Sequence, residues 1–133
     1  MKAVGSKSEN LAFKAVIILH LMLLPVLTSF AQEITAVFTE TDDFLILEGD
    51  VNKTVFSIQP DNSQSLQMIA ERASAMPETL TLSLGLTPSG ANRITLTYNH
   101  PTDTVYVKKM LLFLGVTQVN VRGILCNTGD FQP

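Results

Sequence analysis

Strict alternation of apolar and polar residues at positions 79–86 is the sequence feature that most constrains the fold. In Thr-Leu-Thr-Leu-Ser-Leu-Gly-Leu every second residue is a leucine, and the residues between are small or carry a hydroxyl. Side chains of a β-strand point alternately to its two faces, so this segment predicts a strand with one apolar and one polar face. Residues 93–98 repeat the alternation after a loop of turn-forming residues. Together they predict an antiparallel hairpin with one face on the core and the other in water.

Two other segments show the three- and four-residue spacing of amphipathic helices. The first covers residues 63–76 and is followed by Pro77, which cannot continue a helix. The second opens on a Thr-Asp pair at residue 102, which suits a helix N-terminus, and ends before Gly115. The predicted core stripes are Leu66, Ile69, Ala70, Ala73 and Met76 in the first helix, and Val107, Met110, Leu111 and Leu114 in the second.

Short strands at residues 54–58 and 118–122 complete a strand-helix-strand-strand-helix-strand order, which is that of ferredoxin-like folds. The sequence therefore predicts an α+β domain over residues 54–124, an antiparallel sheet with both helices on one face. Residues 32–53 are expected to add a β-hairpin at a sheet edge, and residues 125–133 to form a polar tail. The open face of the sheet is expected to carry Ser57, Thr79, Thr81, Ser83, Thr95, Thr97, Gln118, Asn120 and Arg122.

Residues 1–31 have the composition of a signal peptide. Three lysines precede an apolar run at residues 15–27, which is shorter than the roughly 20 residues that a membrane-spanning helix needs. Small residues at Ser29 and Ala31 favour cleavage before Gln32. We therefore expect an exported protein, periplasmic or extracellular, with no membrane span after cleavage.

Charge and composition exclude several classes of function. The chain has 9 Lys and Arg against 12 Asp and Glu; three lysines and one glutamate lie in the leader, which leaves 6 and 11. An acidic domain without a basic patch does not predict nucleic-acid binding. A single Cys excludes an internal disulfide. Since no catalytic triad, phosphate loop or zinc signature stands out, we expect no enzymatic activity and no cofactor.

The second half of this region carries a resemblance to a known domain family. The segments that carry it are the strand at residues 93–98, the following Pro-Thr-Asp, the helix closing on Leu114-Gly115 and the strand at residues 118–122. Residues 54–122 resemble the heavy-metal-associated domain of copper chaperones and metal-pumping ATPases. That family holds Cu(I) through a Cys-x-x-Cys between its first strand and first helix, because the soft ion prefers sulfur. The corresponding loop here, residues 59–65, contains no Cys, Met or His, so no ligand of that site is carried over.

A metal-handling protein with relocated ligands remains the alternative. Met68, His100 and Cys126 carry the sulfur and imidazole groups that such a site needs, and they are the candidate ligands. Each also has a structural interpretation. His100 before Asp103 is typical of a solvated turn, and Cys126 of a partly buried, inert thiol.

The second predicted helix is apolar almost all round, interrupted mainly by Lys108 and Lys109. Its core stripe faces the sheet, whereas Val105, Leu112 and Phe113 fall outside that stripe and need other cover. Either residues 34–48 or Ile124-Leu125 pack over them, or they bind a protein partner. The second alternative predicts a non-catalytic binding or assembly module.

Overall fold

The alternating segments form the strands of one mixed sheet in an α+β structure. The computed structural model describes residues 33–133, so the predicted signal peptide at residues 1–31 lies outside the described residues. Within the described part, seven strands form a single sheet, accompanied by two α-helices. The strands are β1 Ile34–Phe38, β2 Ile46–Glu48, β3 Val51–Gln59, β4 Leu80–Leu86, β5 Asn92–Tyr98, β6 Val116–Val121 and β7 Ile124–Asn127; the helices are α1 Ser63–Ser74 and α2 Thr104–Phe113.

The strand order differs from the ferredoxin-like expectation at one place. The sheet runs β4-β5-β3-β1-β6-β7, and β2 pairs with the first residues of β3. As expected, α1 connects β3 to β4, and β5 lies between these two strands. However, β1 lies between β3 and β6, antiparallel to β3 and parallel to β6. The direct β3–β6 pairing of a ferredoxin-like order is therefore absent from the described sheet.

β1 is central because its side chains belong to the core. Ile34, Ala36 and Phe38 are all buried, and Ala36 lies opposite Ile58 on one side and Val119 on the other. The expected edge hairpin over residues 32–53 does not form, since β1 and β2 pair with β3 and not with each other. The turn between them is a 3-10 segment, Thr41–Phe44, which buries its phenylalanine.

Both helices cover the same face of the sheet. Their buried residues Ile69, Val107 and Leu111 belong to one core with the inner residues of the strands. Asn62 caps α1 by accepting the Ser65 backbone N–H at 2.8 Å. At the other helix, Asp103 accepts the backbone N–H of Tyr106, also at 2.8 Å. These caps fix both entry points; at the second helix the cap is Asp103, the second member of the predicted Thr-Asp pair.

Gly115 ends the second helix as predicted, for a steric reason. Its φ of 92° lies in the left-handed region that disfavours a Cβ. A Cβ there would also lie 2.8 Å from the terminal methyl of Met68 and 2.9 Å from the Arg72 guanidinium.

The C-terminal residues are part of the fold, in contrast to the polar tail expected at residues 125–133. β7 pairs antiparallel with β6 across a tight turn in which Arg122 and Gly123 both have positive φ. Phe131 is buried, its ring 5.0 Å from that of Phe44 and stacked at 6.5 Å on Phe38. The chain end thus closes an aromatic cluster in the core.

The opposite face of the sheet is open, as predicted. None of the nine hydroxyl, amide and arginine side chains expected there is buried. Their registers agree with a shared face: Thr81 lies opposite Thr97, and Ser83 opposite Thr95.

Candidate functional site

The solvent side of α2 carries three large apolar side chains. Val105, Leu112 and Phe113 are 57%, 47% and 45% exposed. Because successive helical residues turn by about 100°, they point away from Val107 and Leu111, which are buried. We call the three exposed side chains the α2 face. The structure thus brings the three predicted partner-binding residues together on one side of one helix, with Phe113 toward its flank.

Neither of the two internal covers that the sequence offered buries the α2 face. The residues expected as a hairpin at 34–48 provide the central strand β1 and the short strand β2, which pairs with β3. Ile124 and Leu125 are themselves more than half exposed on β7. Within residues 33–133, the α2 face therefore stays in contact with solvent.

Positive charge accompanies the α2 face. Lys109 is exposed and lies one turn from both Val105 and Phe113 along the helix. At the helix end, the Arg72 guanidinium donates to the backbone carbonyl of Phe113 at 3.3 Å. The remaining charges of a domain with 11 acidic residues are mostly negative, so this basic character is a local feature. The α2 face therefore combines apolar area with the cationic neighbours Lys109 and Arg72, and the Asp103 carboxylate lies beside Val105.

His100 is held at the N-terminal end of α2 by two hydrogen bonds. Its Nδ1 lies 2.9 Å from the carbonyl oxygen of Pro101, and its Nε2 lies 3.2 Å from the Tyr106 hydroxyl. A carbonyl only accepts, so Nδ1 carries a proton; in the neutral imidazole Nε2 then accepts from the Tyr106 hydroxyl. The imidazole also packs edge-on against the Tyr106 ring at 4.8 Å. Since both ring nitrogens are engaged, metal ligation by His100 would require breaking one of these hydrogen bonds.

The hydroxyl groups of Thr54 on β3 and Tyr98 on β5 form a buried pair in the core. The Thr54 hydroxyl is 2.8 Å from the Phe44 carbonyl oxygen and 2.7 Å from the Tyr98 hydroxyl. Because the carbonyl takes the single Thr54 proton, Tyr98 donates to Thr54. Burial raises the pKa of Tyr98, with the Thr54 hydrogen bond opposing the shift. The pair ties the Thr41–Phe44 turn to β3 and β5, and the period-two pattern alone gave no signal for it.

The three candidate metal ligands lie in different parts of the fold. Met68 packs over Gly115, and His100 follows β5. Cys126 is half-buried on β7 and lines a groove with Val121 and Phe131. Four strand spacings of about 4.8 Å separate β5 from β7, or roughly 19 Å, so His100 and Cys126 cannot share one ion. Among the described residues, no group of three or more His, Cys, Asp or Glu is placed to hold a metal ion.

The helices of residues 33–133 also fall short of a membrane span, since neither is long and apolar enough to cross a bilayer.

Comparison of the chain with protein-family models, curated proteins and solved structures returned no match.

Proposed function

We propose that this chain is an exported, non-catalytic protein-binding module and that the α2 face is its contact surface. One observation carries the proposal: three large apolar side chains lie together on one helix and are each about half exposed. Contiguous exposed apolar residues with a polar surround are typical of protein interaction sites. Interface centres also favour aromatic residues, which makes Phe113 the expected anchor.

The charge around the α2 face defines the partner. Lys109 and Arg72 lie beside apolar side chains, and Asp103 borders Val105 and Lys109 at the start of the helix. The complementary surface is therefore an apolar patch or groove with acidic residues opposite Lys109 and Arg72. Interface charges at a rim mainly affect the association rate and its dependence on salt. We therefore expect binding to weaken as ionic strength rises, while the apolar contacts supply most of the affinity.

Export and family resemblance are further parts of the proposal. The lysines and apolar run of residues 1–31 support export. The likeness to heavy-metal-associated domains is proposed on the strand and helix order of residues 54–122 alone, and β1 separates β3 from β6 in the described sheet. We propose that this likeness concerns the framework and not the metal loop, because residues 59–65 contain no Cys, Met or His.

Site-specific photo-cross-linking in the native host tests the contact surface. A photoreactive residue at position 112 is expected to capture a partner protein, whereas one at position 47, a largely exposed leucine on β2, is not. Lys109→Glu is expected to reduce capture at position 112 because it places a negative charge against an acidic rim. Equal capture at both positions would contradict the assignment, since it would show non-specific contact.

A further inference from the structure

The outer strand β4 is an unprotected edge of the sheet. In the described sheet it pairs only with β5, and the residues Leu80–Leu86 include no charge and no proline. Sheet edges of soluble proteins usually carry such residues, or a bulge, to prevent pairing with another chain. Leu84 and Leu86 are 56% and 65% exposed, although they share the inner face with buried Leu80. The four leucines expected in the core therefore divide into a covered half and an exposed half.

The backbone groups on the free side of β4 belong to its leucines. The Asn99 backbone N–H donates to the Thr79 carbonyl at 3.0 Å, so the backbone of Thr79 points toward β5. Backbone groups of successive strand residues point to opposite sides, which directs those of Leu82, Leu84 and Leu86 outward. Leu80 is consistent with this alternation, because its N–H donates away from β5, to the Met76 carbonyl at 3.2 Å.

A groove lies beside the covered half of β4. It has a volume of about 330 Å³ and runs between the C-terminal part of α1 and the strand. Ala70 and Ala73 form its helix side, and Leu80 and Leu82 form its strand side. The alanines are too short to fill the space between helix and edge strand, so the groove is apolar and open outward.

We propose that a second copy of this chain occupies this edge, with the two β4 strands antiparallel about a twofold axis at Ser83. In that register Leu82 lies opposite Leu84 of the other copy, and Leu80 lies opposite its Leu86. Exposed Leu84 and Leu86 then lie against the covered half of the partner strand, beside the partner's open groove. The outward backbone groups of Leu82 and Leu84 are the ones that the partner strand needs.

The sequence of β4 favours a second copy over an unrelated peptide. Around Ser83 the residues read Leu-Thr-Leu before and Leu-Gly-Leu after, so leucine meets leucine at each inner position. No charge opposes self-pairing anywhere on the strand. An isologous contact of this kind is self-complementary and closes as a dimer, so it does not propagate into fibres.

Disulfide trapping at the axis tests the register. Ser83 would face its own copy at a non-hydrogen-bonded position, where Cα atoms are about 4.5 Å apart, within the range that a disulfide spans. In the exported protein carrying Cys126→Ser, Ser83→Cys is expected to form a covalent dimer on mild oxidation. The matched control Thr81→Cys places the two thiols roughly 13 Å apart along the strands and is expected to remain uncrosslinked.

Light scattering during size exclusion tests the surface independently. The wild type is expected to elute at twice the monomer mass, and Leu84→Lys at the monomer mass, because it opposes a lysine to apolar Leu82. Leu125→Lys, an exposed leucine on β7, is expected to remain dimeric. A monomeric wild type, a dimer that survives Leu84→Lys, equal cross-linking through Thr81→Cys, or Ser83→Cys adducts with a different protein would each overturn the proposal.

Discussion

Truncating Phe131 to alanine is expected to destabilise the domain strongly, although this residue is third from the C-terminus. Its ring is 5.0 Å from Phe44 and stacks on Phe38, and the side chain is buried. Burying about 175 Å² of aromatic surface at about 25 cal/mol per Å² corresponds to roughly 4 kcal/mol. This agrees with the 3–5 kcal/mol typical of buried Phe→Ala substitutions.

Urea unfolding followed by circular dichroism measures this loss. For a domain of about 100 residues, roughly 4 kcal/mol is a large part of the total free energy of unfolding and lowers Tm by about 15–30 °C. The neighbouring Gln132→Ala is the matched control, and we expect no more than about 0.5 kcal/mol because Gln132 is exposed. A loss under about 1 kcal/mol for Phe131→Ala would refute the reasoning, because the chain end would then contribute nothing to the core.

Three further results are expected. Ile69→Ala should cost about 2–5 kcal/mol of unfolding free energy in urea because Ile69 is fully buried. Thr81→Ala on the open face should cost under about 0.5 kcal/mol. Equal losses would mean that both sheet faces are covered. The raised pKa of Tyr98 means that the unfolded chain ionises first at this residue, so the stability that Tyr98 contributes should be constant below about pH 10 and fall above it. Tyr98→Phe should flatten this slope in melts across pH 8–11, and an unchanged slope would contradict the assignment. Cu(I) titration should give the same binding curve for wild type and Cys126→Ser. Tight stoichiometric Cu(I) binding that the substitution abolishes would instead support metal handling.

Periodicity predicts the local structure well because each segment turns one set of side chains toward the core. The two helices and the strands at residues 79–86 and 93–98 have side chains that repeat with the period of their own backbone. Ile69, Val107 and Leu111, predicted as core, are buried. The open polar face followed from the same alternation, since residues between inward positions must point the other way.

Strand neighbours could not be predicted from these patterns. β1 is apolar enough for a central strand, but alternation does not identify its partner strand, and proximity in the chain favours a hairpin with the next segment. The sequence does not indicate β7, because the turn before it is Arg-Gly and not the usual Asn-Gly, and its residues Ile124–Asn127 are too few for a clear period. Phe131 was expected in a polar tail because a single aromatic residue near a chain end carries no periodic signal.

The candidate site was predicted in part. Helical geometry separated Val105 and Leu112 from the core stripe, and the structure exposes both. The leucine face of β4 shows the limit of such reasoning: the alternation is strict, yet Leu84 and Leu86 are exposed. Alternation defines which face a side chain shares, whereas the extent of the covering helix decides whether that face is buried.

The affinity and stability of Leu112→Asp, measured together, test the α2 face most directly. The variant should melt within a few degrees of wild type, since Leu112 is half exposed, and should bind the partner captured at position 112 about 30-fold more weakly, a loss of about 2 kcal/mol that is typical of an interface hot spot. Leu47→Asp should match wild type in both measurements. Leu112→Asp with unchanged stability and unchanged affinity would contradict the account, because Leu112 would then be an exposed leucine without a partner.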